Sequence, residues 1–190
     1  MYKLCKTEQS AARQRQLELG LLEAMKQQRY DEISISDLCE QMQIPRKSFY
    51  RYFSSKDGAL HAMIDHILME FEGIYAVNRK GQHKMMPEDM ESFFSFWMLH
   101  RELLDVMEKS NLSGVLIERA IFHALQEKVM PSKFFPEDSE EMQKYLTTFG
   151  VCGLMSMVIT WHHQGFQKKA GEMGMIAARI LAKPLFPNIC

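Results

Sequence analysis

The stretch Pro45-Arg46-Lys47-Ser48-Phe49-Tyr50-Arg51-Tyr52-Phe53 decides how the rest of this chain is read. Wound as a helix, it puts Phe49 and Phe53 one turn apart on an apolar face. Arg46, Lys47, Ser48, Tyr50, Arg51 and Tyr52 then occupy the remaining surface. Three cations and two tyrosines together offer phosphate ligands, donors for base edges and planar contact surfaces. Pro45 suits the first turn of a helix, where its missing N–H breaks no hydrogen bond. A solvated amphipathic helix with two core aromatics would show the same pattern, so the segment alone leaves both readings open.

The residues just upstream narrow the choice. Ser34 followed by Asp37 is a capping pattern, which predicts a helix starting at Ser34 with Ile35, Leu38, Cys39 and Met42 on one face. Gln43-Ile44-Pro45 is then a three-residue connection, with Ile44 plugging the space between two short helices. Two amphipathic helices joined this tightly read as a helix-turn-helix, the cationic second helix standing in the recognition position.

From Tyr30 to Leu60 the chain resembles the DNA-binding motif of the TetR family of bacterial transcriptional regulators. The resemblance is carried by Tyr30, Ser34, Asp37-Leu38, Ile44, the block Arg46 to Phe53, and Ser55-Lys56-Asp57 with Leu60. Gln43 stands where that family usually has a turn glycine, and Pro45 where it often has a Ser or Thr cap. Arg29 replaces another common glycine, and Tyr52 a common histidine. These departures bear on turn geometry and on single base contacts. The resemblance implies an all-α chain with an N-terminal three-helix helix-turn-helix domain (1–55) and a C-terminal helical domain (56–190) for effector binding and dimerisation. It further implies that the first helix packs over the motif and that the amino-terminal arm can touch DNA.

Composition agrees with helices. Sixteen methionines against ten glycines and six prolines favour them over sheet, and 46% hydrophobic with 25% charged residues is ordinary for a globular chain. The net charge of −1 excludes a uniformly basic nucleic-acid coat. Residues 1–60 hold ten Lys/Arg against eight Asp/Glu, and the remainder thirteen against sixteen, so the local cluster at 46–56 says more than the totals. Cys5, Cys39, Cys152 and Cys190 form no C-x-x-C pair, and Cys39 and Cys152 are expected as buried thiols of a cytoplasmic protein. No signal-peptide pattern opens the chain, and the apolar run Val151–Trp161 falls short of the ~20 residues that span a bilayer. A soluble protein with no membrane partner is expected.

A first helix is predicted over about Thr7–Arg29, with Leu17, Leu21 and Met25 on one face. Lys3, Lys6, Arg13 and Arg15 lie before it or in its first half, where an ordinary solvated face reads the same way. Ser54 or Ser55 can cap a long helix through Phe71. Lys56 in its first turn opposes the helix dipole, an objection that a docked phosphate would remove. After a loop over Asn78–Pro87, one helix is expected from Phe93 through His100 to Met107, buried on several sides. A helix over Val115–Val129, the Pro131–Pro136 connection, and helices over Ser139–His163 and Lys169–Lys183 complete the chain.

Candidate DNA contacts are Arg46, Lys47 and Ser48 at base edges, with Tyr50, Arg51, Tyr52 and Lys56 on phosphates of a palindromic operator in double-stranded DNA. Candidate lining for a small-molecule effector site is Phe93, Phe96, Trp97, His100, Met107, Phe122 and Met155, although such stripes more often form plain core. The candidate homodimer interface is Tyr145, Phe149, Gly153, Ser156 and Ile159 with Met173, Ile176 and Ile180, burial inside the monomer being the competing reading.

No catalytic residue, metal ligand or cofactor is expected. His61 and His66 are five apart, His162 and His163 diverge by about 100° around a helix, and no nucleophile or nucleotide-binding motif is present. The expected function is a transcriptional repressor released by an effector. A transcriptional activator, or a TetR-like partner module without DNA binding, would share the same fold.

Overall fold

In the computed structural model, residues 2, 5, 7–78, 87–126 and 140–182 are described, apart from the side chains of 75–78 and 87. Among these residues the chain is helical, with no strand and only an isolated antiparallel bridge between Tyr2 and Phe53. The helices are α1 (Glu8–Gln27), α2 (Ile35–Gln41), α3 (Arg46–Tyr50), α4 (Lys56–Asn78), α5 (Pro87–Leu99), α6 (Arg101–Lys109), α7 (Ser113–Gln126), α8 (Glu140–His163) and α9 (Ala170–Leu181). None is long and apolar enough to cross a membrane. Residues 79–86 of the expected loop, the Pro131–Pro136 connection, Val129, Ser139, Lys183, Lys3, Lys6 and Cys190 lie outside the described residues.

The helix starts follow local chemistry. Thr7 caps α1 by accepting the Ser10 N–H at 3.2 Å, and Ser34 caps α2 by accepting that of Asp37 at 3.1 Å. Ser55 accepts the Gly58 N–H at 3.1 Å at the head of α4.

Two compact units are formed. The first comprises residues 1–69 and 105–119, the second residues 70–104 and 120–190. Polar bonds explain the inclusion of 105–119: the Tyr30 N–H donates to Ser110 Oγ at 3.0 Å, and Lys109 donates to the Lys26 carbonyl at 2.8 Å. The Lys109 bond satisfies one of the last carbonyls of α1, which the helix itself cannot pair.

The core of the first unit takes Leu17, Leu21 and Met25 from α1, Leu38 and Cys39 from α2, Phe49 and Phe53 from the α3 segment, and Leu60, Met63 and Ile64 from α4, all essentially buried. The Phe49 and Phe53 rings meet with centroids 5.3 Å apart.

In the second unit α5 packs on α9, where Gly174 lets the backbones close. A Cβ there would stand 2.8 Å from the Glu91 nitrogen. Phe93, Phe94, Phe96 and Trp97 are all buried. The expected single helix from Phe93 to Met107 is two helices, because the run stops at Leu99 and restarts at Arg101. His100 serves both: its N–H donates to the Phe96 carbonyl, and its own carbonyl accepts from Leu103.

Candidate nucleic-acid interface

The turn between α2 and α3 sets the presentation of α3. The Ile44 N–H donates to the Cys39 carbonyl at 2.9 Å and the Gln43 N–H to that of Glu40 at 3.0 Å. These two bonds make a Schellman ending, which needs a left-handed residue in the position Gln43 occupies. Gln43 accordingly has φ 54. The missing glycine therefore leaves the turn geometry intact and replaces it with strain of about 1–2 kcal/mol for a side-chain-bearing residue. Pro45, extended, then takes the cap position ahead of Arg46.

From this start Phe49 points into the core while Arg46, Lys47 and Arg51 are exposed and Ser48 is half-buried. Tyr50 is 44% exposed, and the Arg46 guanidinium lies 5.9 Å from the centre of its ring. Five of the seven candidate DNA residues thus share a surface-facing segment. Two do not behave as expected.

Tyr52 is only 8% exposed. Past Tyr50 the chain is still bonded helically, the Tyr52 and Phe53 N–H groups both donating to the Phe49 carbonyl, and the Tyr52 side chain lies beside Phe53. Lys56 is also engaged from within. Its ammonium donates to the Tyr30 carbonyl and, at 2.6 Å, to that of Ile33, and lies 4.2 Å from the centre of the Tyr30 ring. Burial lowers its pKa, against the opposing pull of Asp57 and Asp31. The Tyr30 hydroxyl donates to Asp57 at 2.6 Å, and burial together with that bond pushes its pKa up. Tyr30, Lys56 and Asp57 therefore tie the chain before α2 to the head of α4. This role needs no phosphate.

The effector candidates divide. Phe93, Phe96 and Trp97 share an aromatic cluster with Phe71, which meets Phe96 at 5.2 Å, and His100 lies 4.4 Å from Phe96. The Trp97 indole N–H is buried with no hydrogen-bond partner, whereas that of Trp161 donates to the Lys168 carbonyl at 3.0 Å. Met155 is buried in α8. Met107 belongs to the other compact unit, where it is fully buried, and Phe122 is 50% exposed.

The interface candidates also divide. Tyr145 and Phe149 are 65% and 62% exposed, Gly153 and Ser156 are exposed, and Ile159 is half-buried. A Cβ on Gly153 would meet nothing within 4 Å. Met142 and Cys152 extend the same stripe, so Cys152 is not the buried thiol expected. On α9, Ile176 and Ile180 are exposed with Met175 and Leu181, but Met173 is buried within the chain. The apolar spacing was visible in the sequence. Which side of α9 would be claimed by α5 was not.

Residues 21–63 match the family model of bacterial regulatory proteins, tetR family, a span running from α1 through the helix-turn-helix into α4. No curated protein matches the chain.

Proposed function

We propose that this chain, whose residues 21–63 match the family model of bacterial regulatory proteins, tetR family, is a DNA-binding transcriptional repressor that a small-molecule effector releases from its operator. The observation that carries the reading is α3 itself, which leaves Arg46, Lys47, Tyr50 and Arg51 exposed beyond a rigidly bonded turn. Arg46, Lys47 and Ser48 would read base edges, while Tyr50 and Arg51 would hold phosphates. The regulator would act in the cytoplasm, on DNA.

Homodimerisation through α8 and α9 is supported by the stripe of Tyr145, Phe149, Gly153 and Ser156 with Ile176 and Ile180, which is exposed among the described residues. A run of exposed apolar side chains of this kind is typical of a protein–protein contact. A two-fold contact there pairs two recognition helices with a palindromic site. The effector would be an apolar or amphipathic molecule, bound without a metal at Phe93, Phe96 and Trp97. The unpartnered Trp97 N–H supports a hydrogen-bond acceptor on that molecule, since an unmade buried bond costs about 1–3 kcal/mol. Coupling of about 1–3 kcal/mol between effector and DNA would suffice for release.

Selection of duplexes by the full chain from a randomised library tests the reading. Enrichment of a palindrome, bound by two chains, is the expected result. Recovery of no sequence preference at any salt concentration would overturn it.

A further inference from the structure

The stretch that carries the chain from α1 into α2 is short and cannot hold itself. Between Gln27, where α1 ends, and Ile35, where α2 begins, it forms a single 3₁₀ turn at Tyr30–Glu32. The first N–H groups of such a turn have no partner inside it, and a buried one must find a partner elsewhere. The Tyr30 N–H donates to Ser110 Oγ at 3.0 Å, 80 positions along the chain, and Ser110 is itself buried.

Ser110 is placed there by the way α6 ends. The Leu112 N–H donates to the Met107 carbonyl at 2.7 Å and the Asn111 N–H to that of Glu108 at 2.9 Å, with Asn111 left-handed at φ 56. This is the same kind of ending that leads from α2 into α3, and asparagine adopts it readily. Two further bonds fasten the turn to the end of α1. The Lys109 ammonium donates to the Lys26 carbonyl at 2.8 Å, and Arg29 Nη1 donates to the Lys109 carbonyl at 3.3 Å. Arg29 stands where the TetR family commonly has glycine, yet its φ of −68 is open to any residue, so the position uses the side chain rather than backbone freedom. From α4, meanwhile, Lys56 donates to the Tyr30 carbonyl and Asp57 accepts from the Tyr30 hydroxyl. Every polar group of Tyr30 is therefore committed just ahead of α2.

We propose that Ser110, Lys109 and Arg29 form a splint from the α6–α7 turn to the entry of the helix-turn-helix, making Ser110 a positioning residue for DNA binding from outside the residues that match the family model. The inference rests on the DNA-binding reading above. Ser110 fixes Tyr30, Tyr30 fixes the start of α2, and α2 carries the bonded turn that presents α3. Without the hydroxyl, the Tyr30 N–H is stranded and the connection must shift to reach water. Base contacts depend on the register and angle of α3, whereas attraction to phosphates does not, so the loss falls on sequence-specific binding.

The test uses the full chain and the duplex that the wild type selects from a randomised library, at a temperature well below the melting of every variant. Ser110→Ala is expected to speed amide exchange at Tyr30 in the free protein. It should also weaken binding to the selected duplex about 5- to 50-fold, leaving the salt slope and the affinity for unrelated duplex unchanged. Ser110→Thr, which keeps the hydroxyl, should restore most of both. Arg29→Ala should repeat the loss more weakly, again with the salt slope unchanged, since that guanidinium is engaged with Lys109 and Asp31. Unchanged exchange at Tyr30 in Ser110→Ala would overturn the splint. Faster exchange with an equal loss on both duplexes, or with no loss, would overturn the positioning role. A salt slope shallower by about 1 in Arg29→Ala would make Arg29 a phosphate ligand and remove it from the splint. A wild type that selects no duplex would refute the DNA-binding reading and the positioning role together, while exchange at Tyr30 would still report on the splint itself.

Discussion

Helix α3 and helix α8 both present a face that is exposed among the described residues, and the two faces are opposites. The α3 face is polar and cationic, with Arg46, Lys47 and Arg51 exposed around a single buried aromatic. The α8 face is apolar and open, with Tyr145 and Phe149 outward and Gly153 between them. A cationic face is stable in water and needs no cover, so its chemistry can be read from a few consecutive residues. An apolar face is a statement about what the rest of the fold leaves uncovered, and it becomes legible only with the fold in hand.

The largest effect should come from breaking the apolar face. Gly153→Arg has room in the monomer, since nothing lies within 4 Å of the added Cβ. Thermal melting at low concentration should therefore hold, while sedimentation shows a monomer. Losing one half-site should cost about 2–5 kcal/mol of specific affinity, with nonspecific binding little changed. A dimeric Gly153→Arg protein would count against α8 as the contact.

On the polar face the effect is smaller and of a different kind. Arg46→Ala or Lys47→Ala should cost about 1–3 kcal/mol and relax preference at one or two base pairs, measured by repeating the duplex selection. A uniform loss across all sequences would instead assign these side chains to phosphates.

Lys56 tests where the polar face ends. With its ammonium given to the Tyr30 and Ile33 carbonyls, Lys56→Ala should lower stability by about 1–2 kcal/mol by stranding those acceptors. Denaturant melts measure that loss. A stable variant whose salt slope falls by about 1 would restore the phosphate role expected from its place in the helix.

The smallest expected effect lies in the turn. Gln43→Gly should relieve the left-handed strain at the cost of greater freedom in the unfolded chain, for a net gain of about 0.5 kcal/mol. Unaltered or lower thermal stability would mean that the Gln43 side chain earns its place by a contact.

Much of the fold was legible because it is local. Ser34 with Asp37, Thr7 ahead of α1, and Leu17, Leu21 and Met25 at helical spacing each carry their own instruction, and each appears as read. The features that were not legible share a physical cause. The spacing that buries Phe49 and Phe53 does not say how deep Tyr52 sits, and only the packing leaves it 8% exposed. Lys56 stands in the first turn of α4, where its position suggests a phosphate, but the carbonyls that engage it come from residues 23 and 26 positions earlier. The membership of residues 105–119 in the first unit depends on pairings such as Ser110 with Tyr30, 80 positions apart, which no periodicity encodes. Met173 has apolar spacing as good as that of Ile176, and only the packing of α9 on α5 separates them.

Cys152 gives the α8 face a consequence for chemistry in the test tube. Of the described cysteines, Cys39 is buried and Cys5 donates its thiol to Gln14, while Cys152 stands exposed one residue from Gly153. A thiol-directed alkylating reagent therefore finds an accessible target in the middle of that stripe. If a second copy of the chain covers it, dilution should speed the modification and crowding the chains together should slow it. The molecule thus carries its own footprinting reporter, needing neither an engineered label nor knowledge of the operator.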